Sequence, residues 1–153
     1  MTTAQQPDPF GATRPALPGL LGGPRAGFWL RAAASLLDTL VLIVPYIVFL
    51  IAVGADAADT LLLLTAAAYF AVLEGGPSGQ SLGKKACGIR VVDLSLGGPI
   101  GPGRALIRWI CRWISLVALG LGYLWMLWDP EKQTWHDKLA NAVVVPVRAY
   151  PIG

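Results

Sequence analysis

Charge is scarce in this chain. Only 14% of its 153 residues are Asp, Glu, Lys or Arg, against about 25% in an average soluble domain. A globule of 16.2 kDa could hardly cover its surface with so few charged groups, which excludes an ordinary water-soluble domain. The 55% hydrophobic content also excludes a wholly disordered chain. Histidine occurs once, as His136, so a multi-histidine metal centre is excluded. Cysteine occurs twice, as Cys87 and Cys111, too far apart for a CxxC pair or a zinc pattern; small buried or interfacial thiols are the expectation. Neither Ser-His-Asp nor Cys-His arrangements have local support, so no enzyme, metal or cofactor is expected. Ser78–Lys85 looks like a phosphate-binding loop but lacks its first glycine and final Ser/Thr, and no buried strand precedes it.

What is present points to a bilayer. The net charge is +3 with a pI near 9.1. The basic residues flank apolar runs, so the acidic partner expected is an anionic inner leaflet and not nucleic acid. Residues 1–27 carry five prolines and five glycines and lack the basic, apolar and small-residue regions of a signal peptide. They read as a disordered cytoplasmic tail. Phe28–Val53 is an apolar run of 26 residues, about 39 Å as a helix and long enough to cross with tilt. Pro45 predicts a kink in its outer half. A second helix is predicted over Thr60–Leu73, N-capped by Asp59 and ended by Glu74-Gly75-Gly76-Pro77. No Lys or Arg lies between the two helices, whereas Arg14, Arg25 and Arg31 precede them and Lys84, Lys85 and Arg90 follow. The positive-inside rule therefore puts the N-terminus and the 75–103 loop in the cytoplasm.

The third apolar region, Arg104–Trp128, is amphipathic at its start. Arg104, Arg108 and Arg112 recur every four residues and line one helical face. It is either one span or two half-depth legs bent at Gly120 and Gly122. An internal echo bears on that choice. An offset of 53 aligns Gln80-Ser81-Leu82 with Gln133-Thr134-Trp135, Lys85 with Lys138, and Val91-Val92 with Val144-Val145. If both copies face one compartment, Ile89–Val92 can pair with Ala142–Val147. A cytoplasmic C-terminus then follows.

The intramembrane charges are the candidate functional groups. Asp38 stands seven residues after Arg31 on nearly the same helical face and about 10 Å deeper. An aspartate near a helix centre costs about 2.5–3.5 kcal/mol on insertion scales, so it needs a partner or a cavity. It serves either as half of an ion pair that orients helices or as a protonatable, cation-coordinating group.

These residues also carry a resemblance. Arg31 and Asp38 in the first helix, Gly79-Gln80-Ser81-Leu82-Gly83-Lys84-Lys85, Gly88-Ile89-Arg90-Val91-Val92-Asp93, Arg104-Ala105-Leu106-Ile107-Arg108 and Gln133-Thr134-Trp135-His136-Asp137-Lys138-Leu139-Ala140 follow one another as in the RDD family of small bacterial membrane proteins. The resemblance covers about residues 25–147. It implies that Arg31, Asp38 and Asp137 are the arginine and two aspartates for which that family is named. Some members of the family are associated with sodium/proton antiport and others look like accessory membrane proteins, so the resemblance fixes the class better than the activity.

The expectation is an all-α membrane protein of the bacterial inner membrane, a small multi-pass helical bundle. It has two clear spans, a third span or re-entrant hairpin, and a short two-stranded cytoplasmic β element. Its parts are the tail 1–27, the membrane domain 28–147 and a C-terminal tail 148–153. Arg31, Asp38 and Asp137 are the expected ion-binding or proton-exchange residues, with Asp38 as the exchanging carboxylate and Arg31 as its counter-charge, supported by Arg108 and Arg112, and with a small monovalent cation as cargo. One chain supplies few such groups, a shortage that a homo-oligomer would ease. The alternative is a non-catalytic scaffold whose cytoplasmic face binds a protein partner or, through Lys84, Lys85 and Arg104, anionic lipid.

Overall fold

A computed structural model describes residues 23–118 and 120–150; most of the expected N-terminal tail, residues 1–22 with Arg14, lies outside them. Helix α1 spans Phe28–Val53, bounded by Gly27 and by Gly54 at φ 82°. It buries only Ala34 and Asp38, one turn apart, and leaves Leu36, Leu40, Val44, Ile47 and Ile51 exposed, as a lipid-facing helix does. Pro45 lies within it.

Helix α2 spans Ala55–Gly75, longer at both ends than the stretch 60–73 expected from hydropathy. Asp59 is therefore not its cap. Ala55, Ala57 and Ala58 are strong helix formers, and Asp56 stands in the first turn, where a negative charge meets the positive end of the helix dipole. At 21 residues, about 31 Å, α2 can cross the bilayer without thinning it.

The remaining elements are short. Helix α3 (Leu82–Ala86) leads into strand β1 (Ile89–Asp93), and helix α4 (Pro102–Val117) starts with a proline in its first turn. Helix α5 (Leu121–Leu124) runs into a 3-10 turn at Trp125–Leu127, followed by α6 (Trp135–Leu139) and strand β2 (Ala142–Pro146). The third apolar region is not one straight span. Gly120 takes φ 76°, a left-handed conformation that costs glycine little, and the pieces on either side meet at 112°. The bend falls at the glycines, as a broken span or a re-entrant pair of legs has it.

The 53-residue echo is structural. Helices α3 and α6 start 53 positions apart, as do β1 and β2. Left-handed backbone recurs at Gly79 and Lys132, and again at Gly88 and Asn141. The Gln80 side chain donates to the Ile89 carbonyl at 2.9 Å, and Gln133 donates to Ala142 at 2.7 Å. The strands pair antiparallel with Val91 opposite Val144. Because those two residues are equivalent in the repeat, a local pseudo-two-fold axis passes between them.

An isolated two-stranded ribbon is marginal in water; here both of its faces are covered. Ile89, Val91, Ala142 and Val144 pack with Ala26, Ala34, Ala105 and Ala140. Val92, Val143 and Val145 pack with Tyr150 on the other face. The Ala26 amide also donates to the Val144 carbonyl at 2.9 Å. The folded part thus extends past 28–147 at both ends. The start of α1, the two strands, α3 and α6 all gather at one end of the molecule.

A buried ionic cluster and the cavity beside it

Asp38 projects from the buried face of α1 toward the start of α3. Its carboxylate accepts from Tyr69 Oη at 2.7 Å, Ser81 Oγ at 2.6 Å and the Gly83 amide at 2.7 Å. Tyr69 Oη in turn accepts from the Leu82 amide at 2.9 Å. Asp38 at Gly83 and Tyr69 at Leu82 thus satisfy otherwise unbonded donors at the start of α3 from neighbouring helices. A glycine at 83 is what allows the approach. A Cβ there would lie 2.1 Å from the Ala34 carbonyl oxygen and 2.9 Å from Asp38 Cγ.

Arg31 does not pair with Asp38, the counter-charge relation expected from their shared face. It donates instead to Asp137 and, at 2.7 Å, to the Lys132 carbonyl. Arg108 donates through Nε to Asp137 at 2.6 Å and through Nη1 to Glu74. Glu74 also binds Lys84 and, at 3.3 Å, Arg112. Arg112 stacks over the Phe70 ring with its guanidinium carbon 4.6 Å from the centroid. Asp137, Arg108 and Glu74 are essentially inaccessible, at 0%, 1% and 1% exposure. Four cations thus share two carboxylates.

The expected trio of Arg31, Asp38 and Asp137 is therefore divided. Arg31 and Asp137 meet, with Arg108 beside them, while Asp38 is held by Tyr69, Ser81 and Gly83 and joins the cluster through Ser81, which Lys84 reaches at 3.5 Å. Two of the three expected lipid contacts also differ. Lys84 is buried against Glu74 and cannot lie on the surface, because the short α3 turns it inward beneath α2. Arg104, partly exposed, is paired with Asp93, whereas Lys85 is exposed. Glu74, the hub for three cations, went unnoticed in the sequence because Gly75-Gly76-Pro77 reads as a helix stop. Its signal was electrostatic. A carboxylate in the last turn opposes the helix dipole and requires cations nearby.

Outside the spans, burial and charge move the ionisable groups. Burial pushes the Lys84 ammonium down to about 8, with Glu74 opposing the shift. Burial also holds the His136 imidazole well below 6.5, in its neutral form. Burial raises the Asp137 carboxyl, but Arg108 and Arg31 more than offset it and hold the group well below 3.8.

Beside this cluster lies a cavity of about 160 Å³, lined by Arg31, Lys84, Arg108, Arg112 and His136, among others, and among the described residues by no carboxylate. Among the described residues His136 Nδ1 is buried without a hydrogen-bond partner; His136 lines the cavity together with Thr134, whose side chain caps α6 by accepting from the Asp137 amide. A buried polar atom left unpaired costs about 1–3 kcal/mol, so the His136 nitrogen is poised for a partner. Ser35, Arg112 and Tyr123 also line a second, mostly apolar groove of about 510 Å³ between α1, α2 and α4. Among the described residues, no group of three or more His, Cys, Asp or Glu side chains could hold a metal ion.

The model of the RDD family matches residues 25–141, the stretch that holds both polar networks. The chain belongs to the RDD family. It is similar to the uncharacterized protein YckC of Bacillus subtilis, 30% identical over 126 residues, covering 78% of this chain and 83% of that protein. It is also 36% identical over 72 residues to the proline-rich antigen homolog of Mycobacterium tuberculosis, and 33% identical over 72 residues to the proline-rich antigen of Mycobacterium leprae. Those stretches cover 47% of this chain but only 30% and 29% of the mycobacterial proteins. No solved structure matches the chain. Family membership and two helices long and apolar enough to cross a bilayer make this RDD chain a membrane protein.

Proposed function

We propose that this RDD chain is an accessory module of the bacterial cell membrane that holds an anionic group at the cytoplasmic boundary, not an enzyme. One observation carries this. Arg31, Lys84, Arg108 and Arg112 line a cavity that has no acid among its described lining residues, and the carboxylates bonded directly to them, Glu74 and Asp137, stand behind it. The excess of two positive charges in a desolvated site favours an anion over a sodium ion or proton. Both carboxylates of the cluster are already engaged by guanidinium or ammonium donors and offer little to a metal ion. The basic flanks of α1 and α3 support a cytoplasmic setting for this end. A thermal-shift titration tests the proposal. Phosphate or sulfate should raise the melting temperature by linkage to the folded state, and sodium chloride at matched ionic strength should not.

A second reading keeps ion exchange, centred on Asp38 alone. It is favoured by the burial of Asp38 inside a spanning helix, where a carboxylate is costly and faces a partner or a cavity. Proteoliposomes loaded with a pH-sensitive dye separate the two readings. A sodium-dependent proton flux that disappears in Asp38→Asn at normal protein yield supports exchange; no flux in the wild type removes it.

A further inference from the structure

The basic cavity and the apolar groove share Ser35, Arg112 and Tyr123. Together they have the shape of an amphiphile. At about 160 Å³ the cavity is smaller than the roughly 300–1,000 Å³ of whole-ligand pockets, and so takes a headgroup; the groove, at about 510 Å³, falls within that range. Along α1 the groove runs from Ser35 to Tyr46, which is about 16 Å of helix, close to half of a hydrocarbon core of about 30 Å. Leu42, Ile43, Leu62, Leu63 and Leu116 supply apolar walls. A hydrocarbon chain laid there would occupy the depth of one leaflet, with its polar end at Arg112.

We propose that the two spaces form a single binding site for a membrane lipid that ends in a phosphate monoester, its chain in the groove and its phosphate in the basic cavity. This deepens the anion-holding role above and rests on it. Charge selects the headgroup. A phosphate monoester carries about −1.5 to −2 near pH 7, which meets an excess of two positive charges, whereas a phosphodiester carries one negative charge and a zwitterionic head none. Hydrogen bonding agrees. Three phosphate oxygens can accept from Arg112 and Arg31, and the unpaired His136 Nδ1 supplies a further polar partner in the same wall.

The test is native mass spectrometry of the purified full chain in detergent, with phosphatidic acid, phosphatidylglycerol and phosphatidylcholine of identical acyl chains in competition. Phosphatidic acid should be retained about tenfold over the other two, the worth of one charge-assisted hydrogen bond. Arg112→Gln, which leaves Glu74 paired with Lys84 and Arg108, and His136→Phe, which keeps ring volume, should each remove that preference without lowering the melting temperature. Thr39→Trp narrows the groove; it should weaken phosphatidic acid binding while leaving stabilisation by inorganic phosphate unchanged. Equal retention of the three lipids, or a preference that survives all three variants, overturns the lipid site. If inorganic phosphate still stabilises the protein in that case, the anion-holding role stands without the lipid. If neither phosphate nor any anionic lipid binds, both fail.

Discussion

Val91 and Val144 stand opposite each other in the antiparallel ladder and 53 positions apart in the chain, the same interval that separates the two short helices and their left-handed turns. The sheet is thus the meeting point of two copies of one turn–helix–turn–strand unit. Each copy is pinned to a long helix by a charged side chain. Asp38 of α1 receives the amide of Gly83 in α3, and Arg108 of α4 donates to Asp137 in α6.

The first contact predicts a steric sensitivity. In Gly83→Ala the new methyl would meet the Ala34 carbonyl and the Asp38 carboxylate. Separating α3 from α1 should cost about 1–3 kcal/mol by overpacking, plus weakened hydrogen bonds to Asp38. Gly103→Ala, which meets nothing within 4 Å, is the control, and should be neutral or stabilising by up to about 1 kcal/mol. Melting temperatures of the two variants in one detergent check the contrast.

The ionic cluster predicts an asymmetry between its members. Asp137→Asn leaves Arg31 and Arg108 buried with one carboxylate fewer, and should cost about 3–5 kcal/mol. The folded pKa of Asp137 lies below its unfolded value of 3.8. Its contribution is therefore present in full above that value and is lost as pH falls below it. Thermal stability should stay flat with respect to this group from neutral pH to about pH 4 and drop beneath that. In Asp137→Asn the acid-side drop should be shallower. Melting curves between pH 3 and 7 read both effects.

Much of this fold was legible in the chain. Helix α1 has the limits that the apolar run gives, and the 53-residue echo, though built on few identities, marked both strands. The pairing of Arg31 with Asp38 did not follow. A shared helical face does not bring two residues of one helix together when a neighbouring element reaches each of them first. Here Lys132 and Asp137 take Arg31, and the start of α3 takes Asp38. Lys84 reads as a surface cation and Glu74 as part of a helix stop for a related reason. Hydropathy places charged residues at the edge of a membrane segment, and it does not say when two such edges fold over each other.

The gathering of both strands, α3, α6 and the start of α1 at one end predicts a shared compartment. In a background of Cys87→Ser and Cys111→Ser, single cysteines at Lys85 and Arg148 should resist an impermeant maleimide in intact cells and react after lysis. A cysteine at Asp56, in the first turn of α2 at the opposite end of the spans, should label in intact cells. Labelling at Arg148 but not Lys85 would contradict the pairing of β1 with β2.

The central claim is that the buried cluster holds an anion. Isothermal titration calorimetry of the purified protein at pH 7, with inorganic phosphate and sodium added separately at constant ionic strength, tests it most directly. The account predicts a saturable phosphate isotherm that weakens about tenfold in Arg112→Gln, the loss of one charged hydrogen bond, and no isotherm for sodium. Saturable sodium binding with none for phosphate would contradict it.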